Sequence, residues 1–220
     1  GGNGDSAVST AQGVLYGIQA TGRVLWGSED LSDKTFSIQG MGKVGSKIAE
    51  KLLEAGANLY ITDVNDQVID RFLDKYSSER NRIKVVGKNE IFGVEADIFV
   101  PCATGGIIND DTIEVLRVKG IAGSANNQLL DRTHGDVLKE KGILYAPDYI
   151  VNAGGLIQVT DEAYGPNKDR VMKKTKAIYH TLMEVFSYAE KNGISTAKAA
   201  DTICEKKIEE RKNRNNFFRP

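Results

Sequence analysis

A chain of 220 residues, 40% of them hydrophobic, is long enough to bury its own core and reads as one α/β domain with a helical appendage. Lysine and arginine number 29 against 30 acidic residues, and the net charge of −1 argues against a nucleic-acid or other polyanionic partner. No apolar run reaches membrane-spanning length and nothing resembles a signal peptide, so Cys102 and Cys204 read as ordinary thiols of a cytoplasmic protein.

The chain opens Gly1-Gly2-Asn3-Gly4-Asp5 without an initiator methionine, which suggests an excised domain or a processed fragment. An amphipathic helix is predicted over residues 10–25, with Val14, Leu15, Ile18 and Val24 as its apolar stripe. Next comes a short strand, Phe36-Ser37-Ile38-Gln39, that runs into Gly40-Met41-Gly42-Lys43-Val44-Gly45. Three glycines at G-x-G-x-x-G spacing suit a tight turn, a close backbone approach to pyrophosphate and close helix–strand packing. A helix starting near Lys43 aims its free N–H groups and positive dipole end at phosphate. The second strand, Asn58-Leu59-Tyr60-Ile61-Thr62, ends on Asp63, a carboxylate suited to the adenosine ribose hydroxyls. Such glycines alone can serve a plain turn, but with strand, helix, strand and acid all in place the motif predicts dinucleotide binding. Asp63 repels a 2′-phosphate and no arginine follows in Val64-Asn65-Asp66, so NAD is favoured over NADP. Asp63 also suits the N-cap of the helix at residues 67–76.

Further strands are predicted at residues 83–86, 97–100, 119–123 and 142–145, with a helix at 134–140. Strands alternating with helices mean right-handed crossovers and a parallel sheet covered on both faces, a doubly wound arrangement of the Rossmann type. Residues 167–214 are helical in pattern, broken at Asn192-Gly193, where a C-cap is expected. The basic residues from Lys206 to Arg219 are interleaved with Glu209 and Glu210 and read as a solvated helix face. His134 and His180 lack metal-ligand spacing to a cysteine, so no metal is expected.

Ligands of such sheets sit beyond the carboxyl ends of the strands, which singles out three loops. Pro101-Cys102-Ala103-Thr104-Gly105-Gly106 leaves room for a flat ligand, with Cys102 either a packed thiol or a nucleophile. Gly123-Ser124-Ala125-Asn126-Asn127-Gln128 offers side-chain amides to a ribose or carboxamide, or else simply turns the chain. The third loop, Tyr145-Ala146-Pro147-Asp148-Tyr149-Ile150-Val151-Asn152-Ala153-Gly154-Gly155, sets Asn152 where a helix is predicted to begin. There it suits either an N-cap or a substrate carboxylate.

These loops, with the opening Gly-Gly-x-Gly-Asp, Thr10-Ala11-x-Gly13-Val14 and the run Asn152-Ala153-Gly154-Gly155-Leu156-Ile157-Gln158-Val159, resemble the amino-acid dehydrogenases that act on leucine, valine and phenylalanine. The resemblance spans essentially the whole chain and is to the cofactor-binding C-terminal domain. It makes residues 1–220 a dinucleotide-binding domain, with a Rossmann core at about 30–150 and a helical part at about 152–220. Leu156 to Val159 and the ending Arg214-Asn215-Asn216-Phe217-Phe218 look most like the phenylalanine branch; leucine or valine is the alternative.

The resemblance implies reversible, NAD-dependent oxidative deamination. Hydride leaves the amino acid's Cα for nicotinamide C4, and water converts the imine to a 2-oxo acid and ammonia. It implies that Ser6 and Thr10 meet the nicotinamide end, and that Gly40, Met41, Gly42, Lys43, Val44 and Gly45 hold pyrophosphate. Asp63 and Val64 would hold the adenosine ribose. Cys102, Ala103 and Thr104 would line the adenine side, Ser124, Ala125 and Asn126 the nicotinamide ribose, and Asn152 would bind the substrate carboxylate. Leucine dehydrogenases tend to carry Leu where Asn126 stands. The catalytic lysines and aspartate belong to an N-terminal substrate domain absent from this chain, and the intact enzyme would be a homo-oligomer. A non-catalytic NAD-binding or interaction module is the alternative of another class.

Overall fold

The computed structural model describes residues 4–216, with side chains described through residue 212. The opening Gly1-Gly2-Asn3 and the ending Phe217-Phe218 of the motifs above lie outside the described residues. Six strands form one sheet: β1 (Thr35–Gln39), β2 (Asn58–Thr62), β3 (Ile83–Val85), β4 (Ile98–Pro101), β5 (Gly120–Ile121) and β6 (Leu144–Tyr145). Their order is β3-β2-β1-β4-β5-β6, and every pairing is parallel. The order reverses between β1 and β4, which opens the crevice where such sheets hold ligands.

Side-chain alternation along these strands builds two cores. Phe36 and Ile38 pair in register with Leu59 and Ile61 on one side and Ile98 and Val100 on the other, and all six belong to one buried cluster. Phe99 and Ile121 point the opposite way, into a second cluster with Ile91, Ile113 and Leu138. Burying each such side chain contributes about 1.5–3 kcal/mol, so the central strands are held from both faces.

The first core is roofed by α1 (Ser6–Trp26) and α2 (Lys43–Glu54), with α3 (Asp66–Lys75) beyond β2. The second is covered by α4 (Asp110–Val115) and α5 (His134–Glu140). Two short helices, α6 (Asp148–Val151) and α7 (Gly154–Glu162), lead into α8 (Lys168–Asn192) and α9 (Thr196–Asn216). Helix α8 packs along α1, and α9 packs along α8 and over β6, so the terminal helices fold back on the sheet. Gly193 ends α8 in the left-handed region at φ 63°, the expected C-cap. Beyond Ile203, α9 is exposed through residue 212, a solvated face as predicted.

Two local readings are corrected and one helix is added. The strand predicted at residues 119–123 is only Gly120–Ile121, because Pro101 at the end of β4 has no N–H to extend the ladder. Helix α4 was not anticipated, although its capping box is written in Asn109-x-x-Thr112, whose side chains and backbone N–H groups bond reciprocally at 3.0 and 3.1 Å. Asn152 does not start a helix: it terminates α6, and Ala153 precedes α7.

Candidate functional site

Each glycine of the G-x-G-x-x-G run meets a different constraint. Gly40 sits at φ +94°, and a Cβ there would press on Ala103 at 2.8 Å. A Cβ on Gly45 would overlap the Gly40 carbonyl oxygen, so α2 can approach β1 this closely only without a side chain. Gly42 has nothing within 4 Å of its Cβ position and stands as the N-cap of α2 with no side-chain cap. An uncapped helix start facing open space is what an incoming phosphate requires. Lys43 is exposed beside it and Val44 half-buried, whereas the Met41 side chain is fully buried in the core, leaving only backbone to face a ligand.

The Asp63 carboxylate ties β2 to this loop. One oxygen accepts from Met41 N at 2.6 Å and the other from Asn65 N at 2.9 Å. The capping alternative for Asp63 fails, because the Asn65 side chain caps α3 by accepting from Gln67 N. Asp63 is half-buried and keeps free lone pairs, and Val64 beyond it is 78% exposed.

The loop after β4 is bound to the glycine turn by Cys102 N donating to Gln39 O at 2.7 Å. Ala103 and Thr104 are exposed at the rim. Cys102 packs near Ser124, and burial pushes its thiol up, away from the reactive thiolate, so the packed-thiol reading holds. Ala125 N donates to Pro101 O at 3.0 Å and joins the β4 and β5 loops. The Gln128 amide turns inward and donates to Gly123 O and Ala125 O, which makes it a staple of the loop instead of a ligand contact. Gln128 N donates to the Asp148 carboxylate at 2.8 Å, joining the β5 and β6 loops.

Asn126 and Asn152 meet across the mouth of the crevice. Asn152 Nδ2 donates to Asn126 Oδ1 at 2.7 Å, and its second hydrogen has only a long 3.4 Å contact to Ser124 O. Ser6 and Thr10 lie on the first turns of α1, where a Cβ on Gly155 would come within 2.7 Å of Thr10 Oγ1 and one on Gly154 would overlap Ser9 O. The start of α1, Asn152 and Asn126 therefore gather at one end of the crevice, with the glycine turn and Asp63 at the other.

Two supports had no sequence signal, because neither pairing follows a recognisable local motif; the first joins residues far apart in the chain and the second spans the turn between α7 and α8. Gln158 accepts from Ser9 Oγ at 2.7 Å and donates to Gly4 O at 2.9 Å, latching α7 to α1. Asp161, fully buried, takes two hydrogen bonds from the Arg170 guanidinium and one from Asn167 N at 3.1 Å. His134 is buried beside Asp110 at 3.2 Å, a packing role away from the crevice. Among the described residues no group of three or more His, Cys, Asp or Glu is placed to hold a metal ion, and no helix is long and apolar enough to cross a membrane.

The chain is similar to phenylalanine dehydrogenase of Caldalkalibacillus thermarum, at 55% identity over the whole chain and 60% of that protein's length. It is 46% identical to leucine dehydrogenase of Geobacillus stearothermophilus over 99% of the chain and 58% of that protein. Among solved structures, L-tryptophan dehydrogenase of Nostoc punctiforme matches 96% of the chain and 63% of its own, at a TM-score of 0.90 and 37% identity. The chain thus spans about 60% of the curated relatives it matches. The family model for glutamate, leucine, phenylalanine and valine dehydrogenases matches residues 1–71 and 60–215, and the chain belongs to that family.

Proposed function

We propose that the chain is the dinucleotide-binding part of an NAD-dependent amino-acid dehydrogenase that interconverts L-phenylalanine with phenylpyruvate and ammonia. The observation that carries the reading is the Asp63 carboxylate held 2.6 Å from Met41 N, an anionic acceptor beside an uncapped glycine turn. Such a group suits ribose hydroxyls and repels a 2′-phosphate, which supports NAD.

In this reading Gly40 to Gly45 cradle the pyrophosphate, with Met41 contributing backbone alone. Asp63 and Val64 border the adenosine ribose, and Cys102, Ala103 and Thr104 border the adenine. Ser124, Ala125 and Asn126, with Ser6 and Thr10, hold the nicotinamide end. The bound nicotinamide supplies the hydride acceptor. Asn152 keeps one amide hydrogen on Asn126 and turns the other, weakly engaged one to the substrate carboxylate. The proton acceptor is assigned to an N-terminal substrate domain.

Phenylalanine is preferred to leucine or valine because Leu156 to Val159 resemble that branch and because identity is 55% to a phenylalanine dehydrogenase against 46% to a leucine dehydrogenase. The intact enzyme is read as a cytoplasmic homo-oligomer. Calorimetric titration with NAD and NADP tests the cofactor assignment. NAD is expected to bind at least about tenfold more tightly than NADP, and Asp63→Ala to weaken NAD. Equal affinities, or an indifferent Asp63→Ala, would overturn it.

A further inference from the structure

Helix α7 buries polar side chains where an amphipathic helix usually buries apolar ones. Its buried positions are Gly154, Gln158 and Asp161, whereas Leu156 and Val159 are exposed. Of its apolar side chains, Ile157 packs against the first core, half-buried. Apolar contacts are non-directional and let a helix slide or turn a little; hydrogen bonds hold it in register. At the start of α7 no side chain separates it from α1, since a Cβ on Gly154 would overlap Ser9 O. One turn further along, the Gln158 amide reaches α1 at two points.

Gln158 Nε2 donates to Gly4 O at 2.9 Å, and Gln158 Oε1 accepts from Ser9 Oγ at 2.7 Å. A carbonyl oxygen only accepts, so Gly4 O settles which way the amide faces. The side chains of Gln158 and Ser9 are both buried, away from competing water. The two contacts bracket Asp5, the N-cap of α1, and Ser6, its first residue. Ser9 Oγ also lies 3.0 Å from Ser6 O, and Thr10 Oγ1 donates to that same oxygen at 2.9 Å. Gln158 is therefore bonded to the one turn that carries Ser6 and Thr10.

We propose that Gln158 is a positioning residue, which fixes the first turn of α1 against α7 and so holds Ser6 and Thr10 where the nicotinamide ring meets them. The inference rests on the dinucleotide reading, in which those two residues serve the nicotinamide end. The effect is confined to that end, because the glycine turn is tied separately, by Met41 N donating to Asp63.

The test is calorimetric titration of the full chain with NAD and with ADP-ribose, which lacks only the nicotinamide ring. Gln158→Met keeps the reach of the side chain and removes both hydrogen bonds; Ser9→Ala removes one. Gln158→Met should weaken NAD about fivefold or more, the scale of one or two hydrogen bonds, and leave ADP-ribose within about twofold. Ser9→Ala should shift NAD the same way by less, and should cost nothing further when combined with Gln158→Met. A residue that merely fills space would lower the denaturation temperature without changing the ratio of the two affinities. An unchanged ratio in both variants, or equal losses for the two ligands, overturns the proposal. Should Gln158→Met fail to fold, the ratio in Ser9→Ala decides. A natural chain that holds ADP-ribose as tightly as NAD gains nothing from the ring, which refutes the proposal and leaves the dinucleotide reading standing. Failure to bind either ligand refutes that reading and the proposal with it.

Discussion

Gly42 caps α2 and Gly45 lies in its first turn, and an added methyl group would meet different surroundings at each. At Gly45 it would overlap the Gly40 carbonyl oxygen, and either the turn or α2 must move. Gly45→Ala is therefore expected to destabilise the fold by about 2 kcal/mol or more, which at this chain length lowers Tm by several degrees. At Gly42 the methyl would project into open space from an extended backbone that alanine adopts freely. Gly42→Ala should leave stability within about 0.5 kcal/mol and still weaken NAD about tenfold, if the proposed pyrophosphate cradle is right and the methyl intrudes on it. Thermal denaturation alongside titration separates the two roles. Equal losses of stability would mean that Gly42 serves the turn alone.

At the scale of elements, the junction of α7 and α8 turns on one buried charge. Asp161 is inaccessible to solvent, and the Arg170 guanidinium, itself partly exposed, engages both of its oxygens. Arg170→Ala would leave that carboxylate with the backbone N–H of Asn167 and a Lys174 ammonium 3.8 Å away. Arg170→Ala is expected to lower stability clearly, and Lys174→Ala much less, because only the guanidinium engages both carboxylate oxygens. Denaturant midpoints that shift equally in the two variants would refute the assignment. No reading of the sequence singled out this pair, since nothing in Asp161 or Arg170 alone announces a partner. Elements with strong local signals were legible: β2 over Asn58–Thr62, the start of α2 at Lys43 and all of α5 over His134–Glu140. Alternating burial and turn glycines encode them within a few residues. The short β5 and the break at Asn152 were not legible, because tertiary partners decide them. Gln128 could not be told from a ligand contact until the fold turned its amide onto Gly123 and Ala125.

At the scale of the whole molecule, one sheet carries four loops to one edge, and hydrogen bonds between successive loops align them. Cys102 N binds Gln39 O, Ala125 N binds Pro101 O, Gln128 N binds Asp148, and Asn152 binds Asn126. The crevice is thus built for holding and orienting. Its candidate contacts are backbone amides, hydroxyls of Ser6, Thr10, Thr104 and Ser124, amides of Asn126 and Asn152, and the Asp63 carboxylate beside the glycine turn. General base catalysis on an amino group needs a titrating side chain within hydrogen-bond reach of it, in a site shielded from water. Lys43 is the lysine nearest the glycine turn in sequence, and it is exposed there. His134 is committed to packing beside Asp110. The 220-residue chain should therefore bind NAD yet give no phenylalanine-dependent reduction of it above the rate without protein. Leucine and valine should be equally inert, because the deficit lies in the proton acceptor and not in side-chain recognition. Following NADH formation at saturating NAD and each amino acid tests this directly. Turnover by the chain alone would place a working base among its own residues, and Asn152 and its neighbours would then have to be reassigned from binding to chemistry.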